Sequence, residues 1–97
     1  MIQRIVKMVF RPEEIGPFQA LFEENKEKIR GFEGCTSLKL LQDQNNPCIF
    51  FTYSLWQSEE NLNAYRHSDL FKGVWKSTKS KFSDRAEAWS TSLLHEL

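Results

Sequence analysis

The chain has 97 residues, of which 40% are apolar and 13% aromatic, and its 13 basic side chains balance 13 acidic ones. This length predicts one domain over residues 1–97, and the apolar share excludes an intrinsically disordered chain. Zero net charge argues against nucleic-acid binding, which needs a cationic excess for phosphate contacts. No apolar run approaches the roughly 18 residues of a membrane-spanning helix, so we expect no membrane partner.

The cysteines and the N-terminal residues indicate a compartment. Two cysteines, Cys35 and Cys48, are too few for a disulfide framework. The first residues alternate apolar with charged side chains and lack the apolar core of a secretory signal. We therefore expect a reduced, cytoplasmic protein.

The first third of the chain predicts a strand and a helix. Residues 2–10 alternate with a period of two, and both faces of this strand carry apolar side chains. This pattern favours a sheet with helices on one side and a partly apolar partner on the other. Apolar residues from Ile15 to Ile29 recur at helical spacing. Because proline is tolerated only near a helix start, the regular helix is expected to begin at Pro17.

The remaining elements complete an α+β pattern. Residues 35–42 and 48–56 predict two strands joined by a polar turn, and residues 85–94 predict a final strand. Ser58 and Ser68 are the predicted N-caps of two further helices. The order β-α-β-β-α-α-β is the ferredoxin-like arrangement, with an antiparallel four-stranded sheet. Since monomers seldom expose a large apolar sheet face, we expect a two-fold homodimer.

Four segments carry a family resemblance: RGFEGC at 30–35, YSLWQSEE at 53–60, AYRHSDLF at 64–71 and AEAW at 86–89. The order and spacing of these segments resemble those of the antibiotic biosynthesis monooxygenase family, whose members are small dimeric α/β barrels. For part of that family, the resemblance implies oxidation of polyphenols, anthrones or quinols by molecular oxygen without flavin or metal. The expectation is therefore no cofactor and no metal site.

Other members of that family degrade haem, and this chain departs from their pattern. Trp75 stands where the resemblance places the haem-ligating histidine, Tyr65 replaces a cleft tryptophan, and Val6 lies near a strand-one asparagine. An indole cannot ligate iron, and valine cannot donate a hydrogen bond to oxygen. Haem degradation is therefore disfavoured.

Two residues are candidates for catalysis without a cofactor, which needs a base and a donor that stabilises a substrate anion. His67 is the candidate base because imidazole exchanges protons near neutral pH. Tyr65 is the candidate donor to a phenolate or semiquinone. Each also has a purely structural interpretation, His67 as a solvated residue between two helices and Tyr65 as an aromatic at the core edge.

A pocket for a small flat aromatic ligand is predicted from five aromatic residues and one cation: Trp75, Phe51, Tyr53, Phe71, Trp89 and Arg4. An aromatic stripe is more often core or dimer contact, and a strand cation often extends to the sheet edge. The sequence leaves two functions open. One is a cofactor-independent monooxygenase acting on a small aromatic, polyphenol or quinol. The alternative is a non-catalytic dimeric module that binds a small ligand or serves in stress protection.

Overall fold

A computed structural model describes all 97 residues. The chain forms four strands, three α-helices and one 3-10 turn, in the order β1 (Ile2–Val9), 3-10 turn (Pro12–Glu14), α1 (Ile15–Arg30), β2 (Cys35–Gln42), β3 (Ile49–Trp56), α2 (Glu59–Arg66), α3 (Asp69–Lys79) and β4 (Glu87–Ser92). The four strands form one antiparallel sheet in the order β2-β3-β1-β4. The predicted ferredoxin-like α+β fold is confirmed.

The predicted strands 2–10, 48–56 and 85–94 are observed as Ile2–Val9, Ile49–Trp56 and Glu87–Ser92, and the start of α1 also differs from the prediction. Helix α1 begins at Ile15 rather than Pro17, because the first four N–H groups of a helix need no intrahelical partner and proline is tolerated there. Strand β4 ends at Ser92, which pairs with Ile2 at the start of β1. Beyond that pair β1 offers no further partner, so the strand is shorter than the predicted 85–94.

The register divides the sheet into two faces. On central strand β1, Ile5 pairs with Tyr53 on one side and Trp89 on the other. Since alternate residues of a strand point to opposite faces, odd-numbered residues of these three strands share one face. Even-numbered residues share the other, on which Met8 and Trp56 are 2% and 1% exposed. The helices therefore cover the even-numbered face.

The core consists of two clusters on the helix-covered face. The first contains Met8, Phe10, Phe18 and Phe50, and the second contains Cys35, Trp56 and Leu62. Both clusters join the sheet to helices, the first through α1 and the second through α2. The space between them is the cavity described below.

The other sheet face has no helix over it. We call it the open face; its residues on β1, β3 and β4 include Ile5, Phe51, Tyr53, Leu55 and Trp89. Trp89 is 45% exposed, and Leu41 of the edge strand β2 is 47% exposed. The predicted two-sided apolar character of the sheet is thus present. No helix has both the length and the apolar character needed to cross a membrane.

Candidate functional site

A cavity of about 380 Å³ lies between the helix-covered sheet face and the helices. Fourteen of its 20 lining residues are hydrophobic. Its polar and charged lining residues are Arg4, Thr52, Ser54, Arg66, His67 and Thr78. An apolar cavity of this size with a few polar groups is typical of small-molecule sites, which span about 300–1,000 Å³.

The cavity has an apolar end and a polar end. Arg4, Val6 and Met8 follow one another along the same face of β1 and all line it. At about 3.3 Å per strand residue, the backbone positions of Arg4 and Met8 are about 13 Å apart. Met8 and Phe18 are almost fully buried and form the apolar end. Arg4 marks the polar end, where the α2–α3 corner contributes further groups.

The α2–α3 corner positions three consecutive lining residues. Helix α2 ends at Arg66, and α3 begins after its N-cap Ser68, whose Oγ accepts a 3.1 Å hydrogen bond from the Phe71 N–H. The same hydroxyl donates to the Tyr65 carbonyl at 2.6 Å, so the two helices meet without a flexible linker. The predicted caps at Ser58 and Ser68 are both confirmed. This tight junction orients residues 65–67 toward the polar end.

Tyr65 lines the cavity with a largely buried side chain. Its ring stacks on Trp56 with centroids 4.9 Å apart and contacts Phe32 and Phe71 edge-on. Burial, with a smaller contribution from nearby Cys35, raises the pKa of Tyr65 to about 12. At neutral pH the side chain therefore keeps its proton. It can donate a hydrogen bond to an anionic oxygen in the cavity.

His67, at the edge of the cavity, can accept a proton, whereas Tyr65 donates a hydrogen bond. Its Nδ1 lies 2.7 Å from the Asn63 carbonyl oxygen. Because a carbonyl only accepts, Nδ1 carries the proton, and Nε2 of the neutral ring is then an acceptor. The residue is exposed on its outer side but lines the cavity. Nε2 is therefore the ring nitrogen that is left to accept a proton.

Two arginines add positive charge at the same end. The Arg4 Nη1 donates to Ser90 Oγ at 3.0 Å. Burial and the neighbouring positive charge of Arg66 lower the pKa of Arg4. The ion pairs shorter than 4.0 Å involve only Arg11 and Lys26 as cations. Neither Arg4 nor Arg66 is therefore paired with a carboxylate of the chain.

Residues 1–76 match the family model for antibiotic biosynthesis monooxygenase. The chain belongs to this family. No curated protein sequence matches it significantly.

Solved structures show that the fold extends beyond the matched residues. A crystal structure of an antibiotic biosynthesis monooxygenase superposes with a TM-score of 0.91 at 20% identity, covering 98% of this chain and 100% of its own. A conserved protein from Methanosarcina mazei Go1 superposes with a TM-score of 0.88 at 24% sequence identity, covering 93% of this chain and 89% of its own. A protein from Mycobacterium tuberculosis superposes with a TM-score of 0.89 at 17% sequence identity, covering 98% of this chain and 96% of its own. At these identities the similarity shows the antibiotic biosynthesis monooxygenase fold alone.

The structure brings five of the eight predicted site residues together in this family member. The cavity is lined by Arg4, Tyr65, His67, Phe71 and Trp75. Phe71 and Trp75 lie one helical turn apart on α3 and stack with centroids 5.8 Å apart and planes 11° from parallel. They form a flat aromatic wall along α3.

The other three predicted residues, Phe51, Tyr53 and Trp89, do not line the cavity. They occupy odd-numbered positions and lie on the open face, so in this chain they do not wall the pocket that the other five residues line. There the Tyr53 hydroxyl donates to the Gln3 side-chain oxygen, and the Lys39 ammonium lies 5.9 Å from the Tyr53 ring.

Sequence reasoning missed four polar lining residues. Thr52 and Ser54 share the face of Trp56 on β3, and the Trp56 indole N–H donates to Ser54 Oγ at 3.0 Å. The strand period of two, applied back from Trp56, would have found both. Arg66 lies one helical turn after buried Leu62 on α2, and the same spacing argument applies to it. Thr78 is 3% exposed and donates to a carbonyl in its own helix.

The two cysteines lie at opposite ends of the β2–β3 hairpin. Cys35 is buried opposite Trp56, while Cys48 precedes β3 at the other end of the hairpin, and both are free thiols. Burial raises the pKa of the Cys35 thiol. No three His, Cys, Asp or Glu side chains are grouped as metal ligands.

Proposed function

We propose that the protein is a cofactor-independent monooxygenase that oxidises a small aromatic phenol, quinol or anthrone with molecular oxygen in this cavity. The observation that supports the proposal is that Tyr65 and His67 both line the polar end of the cavity. The Tyr65 hydroxyl keeps its proton, and His67 Nε2 is free to accept one. A proton acceptor and a hydrogen-bond donor that line the same cavity can generate and stabilise a substrate anion.

The chemistry proceeds from that anion. His67 Nε2 removes a proton, and Tyr65 donates a hydrogen bond to the oxygen on which negative charge develops. The electron-rich anion transfers one electron to O₂, and the substrate radical and superoxide combine into a hydroperoxide at a ring carbon bearing hydrogen. Loss of water then leaves a carbonyl at that carbon. One oxygen atom enters the product, and the other leaves as water.

The apolar lining supports this chemistry in two ways. The aromatic wall of Phe71 and Trp75 suits a flat ring. Burial away from water strengthens the hydrogen bond from Tyr65 to the anion, because the effective dielectric constant of the site is lower. The proposed substrate is therefore a flat aromatic molecule with an acidic hydroxyl or activated methylene directed at residues 65–67.

A non-catalytic small-ligand-binding protein is the second candidate. The observation that favours it is the outer exposure of His67, because a base in contact with bulk water gains little from the cavity. Binding of the same flat ligands without oxygen uptake would support this function over the first.

Oxygen consumption with a panel of hydroquinones and anthrones tests the proposal. We expect His67→Gln and Tyr65→Phe each to lower kcat about 100-fold, the range for losing a base or an oxyanion donor. The chain supplies matched controls, because it has two histidines and two tyrosines. His95→Gln, near the C-terminus, and Tyr53→Phe, on the open face, should retain the wild-type rate. Equal rates in all five proteins would overturn the assignment of these residues.

A further inference from the structure

The polar end of the cavity concentrates positive charge without a carboxylate to balance it. Arg4, on β1, and Arg66, at the end of α2, both line the cavity. Neither belongs to an ion pair within the chain. Burial of Arg4 carries a desolvation cost, and the positive charge of Arg66 acts unfavourably on the positive charge of Arg4. A bound anion would offset the repulsion between the two positive charges.

A second, polar cleft of about 230 Å³ adjoins this end and shares Leu62 and Arg66 with the cavity. It also contains Ser90, whose hydroxyl accepts from Arg4. This hydrogen bond positions the Arg4 guanidinium between cavity and cleft. Glu59 is the only acidic residue lining either space, and it forms no ion pair with Arg66.

We propose that Arg4 and Arg66 form an anchor for a carboxylate on the ligand, so that the protein selects aromatic carboxylates over neutral aromatics of the same shape. The inference deepens the proposed function and rests on it in taking this cavity as the ligand site. The guanidinium fork matches the two oxygens of a carboxylate. With the carboxylate at the arginines, the ring extends toward the apolar end and passes the hydroxyl of Tyr65.

The anchor also accounts for the two-ended shape of the cavity. An apolar ring alone would fit equally well in several orientations against Phe71 and Trp75. A carboxylate held beside Arg4 fixes which edge of the ring meets His67 and Tyr65. Orientation of this kind is a substantial part of catalysis, since a misplaced reacting atom lowers the rate.

Calorimetric titration with a matched ligand pair tests the anchor without turnover. The probes are 2-naphthoate and the neutral 2-naphthamide, which share a ring system and nearly the same shape. We expect wild-type protein to bind the naphthoate about tenfold or more tightly than the amide, in line with hydrogen bonds to charged groups. Arg4→Gln and Arg66→Gln should each reduce that ratio severalfold. Arg85→Gln, an exposed arginine outside the cavity lining, should preserve it.

If a glutamine variant fails to fold, Arg4→Lys and Arg66→Lys replace it, because lysine keeps the positive charge. The lysine variants should retain part of the preference for the naphthoate over the amide. Equal affinity for both ligands in wild type, no measurable naphthoate binding, or an unchanged ratio in the Arg4 and Arg66 variants would overturn the anchor. Oxygen uptake with uncharged hydroquinones is measured in parallel. Uptake without carboxylate preference contradicts the anchor alone, whereas preference without uptake on any substrate contradicts only the oxygenation.

Discussion

The ring of Tyr65 lies on the indole of Trp56, with centroids 4.9 Å apart and planes 26° from parallel. Trp56 is 1% exposed, and its N–H donates to Ser54, so the indole has a fixed orientation. The stack therefore connects the last residue of β3 to the α2–α3 corner. Because the indole is fixed, the stack holds the Tyr65 ring in place beside the cavity that both residues line.

The raised pKa of Tyr65 predicts a loss of stability at high pH. Its folded-state pKa is about 12, against about 10 for an unfolded tyrosine. The folded state therefore holds the proton more tightly. This stabilisation, of about 2–3 kcal/mol, is fully present below pH 10 and is lost as the pH rises through about 12.

Titration of tyrosinate absorbance checks this prediction. The chain has two tyrosines, so the component near pH 12 should be absent from Tyr65→Phe and present in Tyr53→Phe. Far-ultraviolet circular dichroism in parallel shows whether the chain is still folded. A high-pH component that survives in Tyr65→Phe would refute the assignment.

Ser68 at the helix corner predicts a combined effect on stability and activity. Ser68→Ala removes the N-cap of α3 and should cost about 0.5–2 kcal/mol of unfolding free energy, measured by urea denaturation. It also removes the 2.6 Å hydrogen bond to the Tyr65 carbonyl, so we expect kcat to fall severalfold. Ser58→Ala removes the cap of α2 at its other end and should lose similar stability with little change in kcat. Equal loss of kcat in both variants would show that the corner does not position Tyr65.

Substitution of Gly34, in the turn before β2, is expected to destabilise the fold strongly. Its φ of +88° is unfavourable for residues with a Cβ, and an added Cβ would lie 2.3 Å from Asn61 Cβ and Cγ. Gly34→Ala should therefore cost about 2 kcal/mol or more. Gly73 lies in α3, and a Cβ added there would meet no atom within 4 Å, so Gly73→Ala should be neutral or stabilising by up to about 1 kcal/mol. Urea denaturation of both proteins makes the comparison, and similar midpoints would contradict it.

Most of the fold followed from patterns that report local physics. Strand alternation, the polar turn before β3 and the caps at Ser58 and Ser68 each depend on nearby residues only, and all were predicted correctly. The predicted start of α1 was wrong because proline is tolerated at more than one position in the first turn of a helix, so Pro17 does not fix where the helix begins. The end of β4 depends on Ile2, which lies 90 positions earlier in the chain, so no local pattern reports it.

The site was less accessible from sequence because it depends on which sheet face the helices cover. Both faces are apolar, so the presence of aromatic residues could not distinguish Trp56 on the covered face from Trp89 on the open face. Once Trp56 is known to be buried, the period of two assigns Ser54 to the cavity, and the register that pairs Arg4 with Ser54 assigns Arg4 to the same face. The missing information was thus one binary choice of face, which the helix packing decides.

The open face predicts a homodimer. Trp89 and Leu41 are 45% and 47% exposed on a face that also carries Ile5 and Phe51, and a patch of this kind is seldom left in contact with water. We expect light scattering at micromolar concentration to give twice the 11.5 kDa subunit mass. Trp89→Lys places a charge on this face and should shift the protein to the single-subunit mass. Ala20→Lys, exposed on α1, adds the same charge away from the sheet and should leave the dimer intact. A wild-type mass near 11.5 kDa, or dissociation of both variants alike, would contradict association through this face.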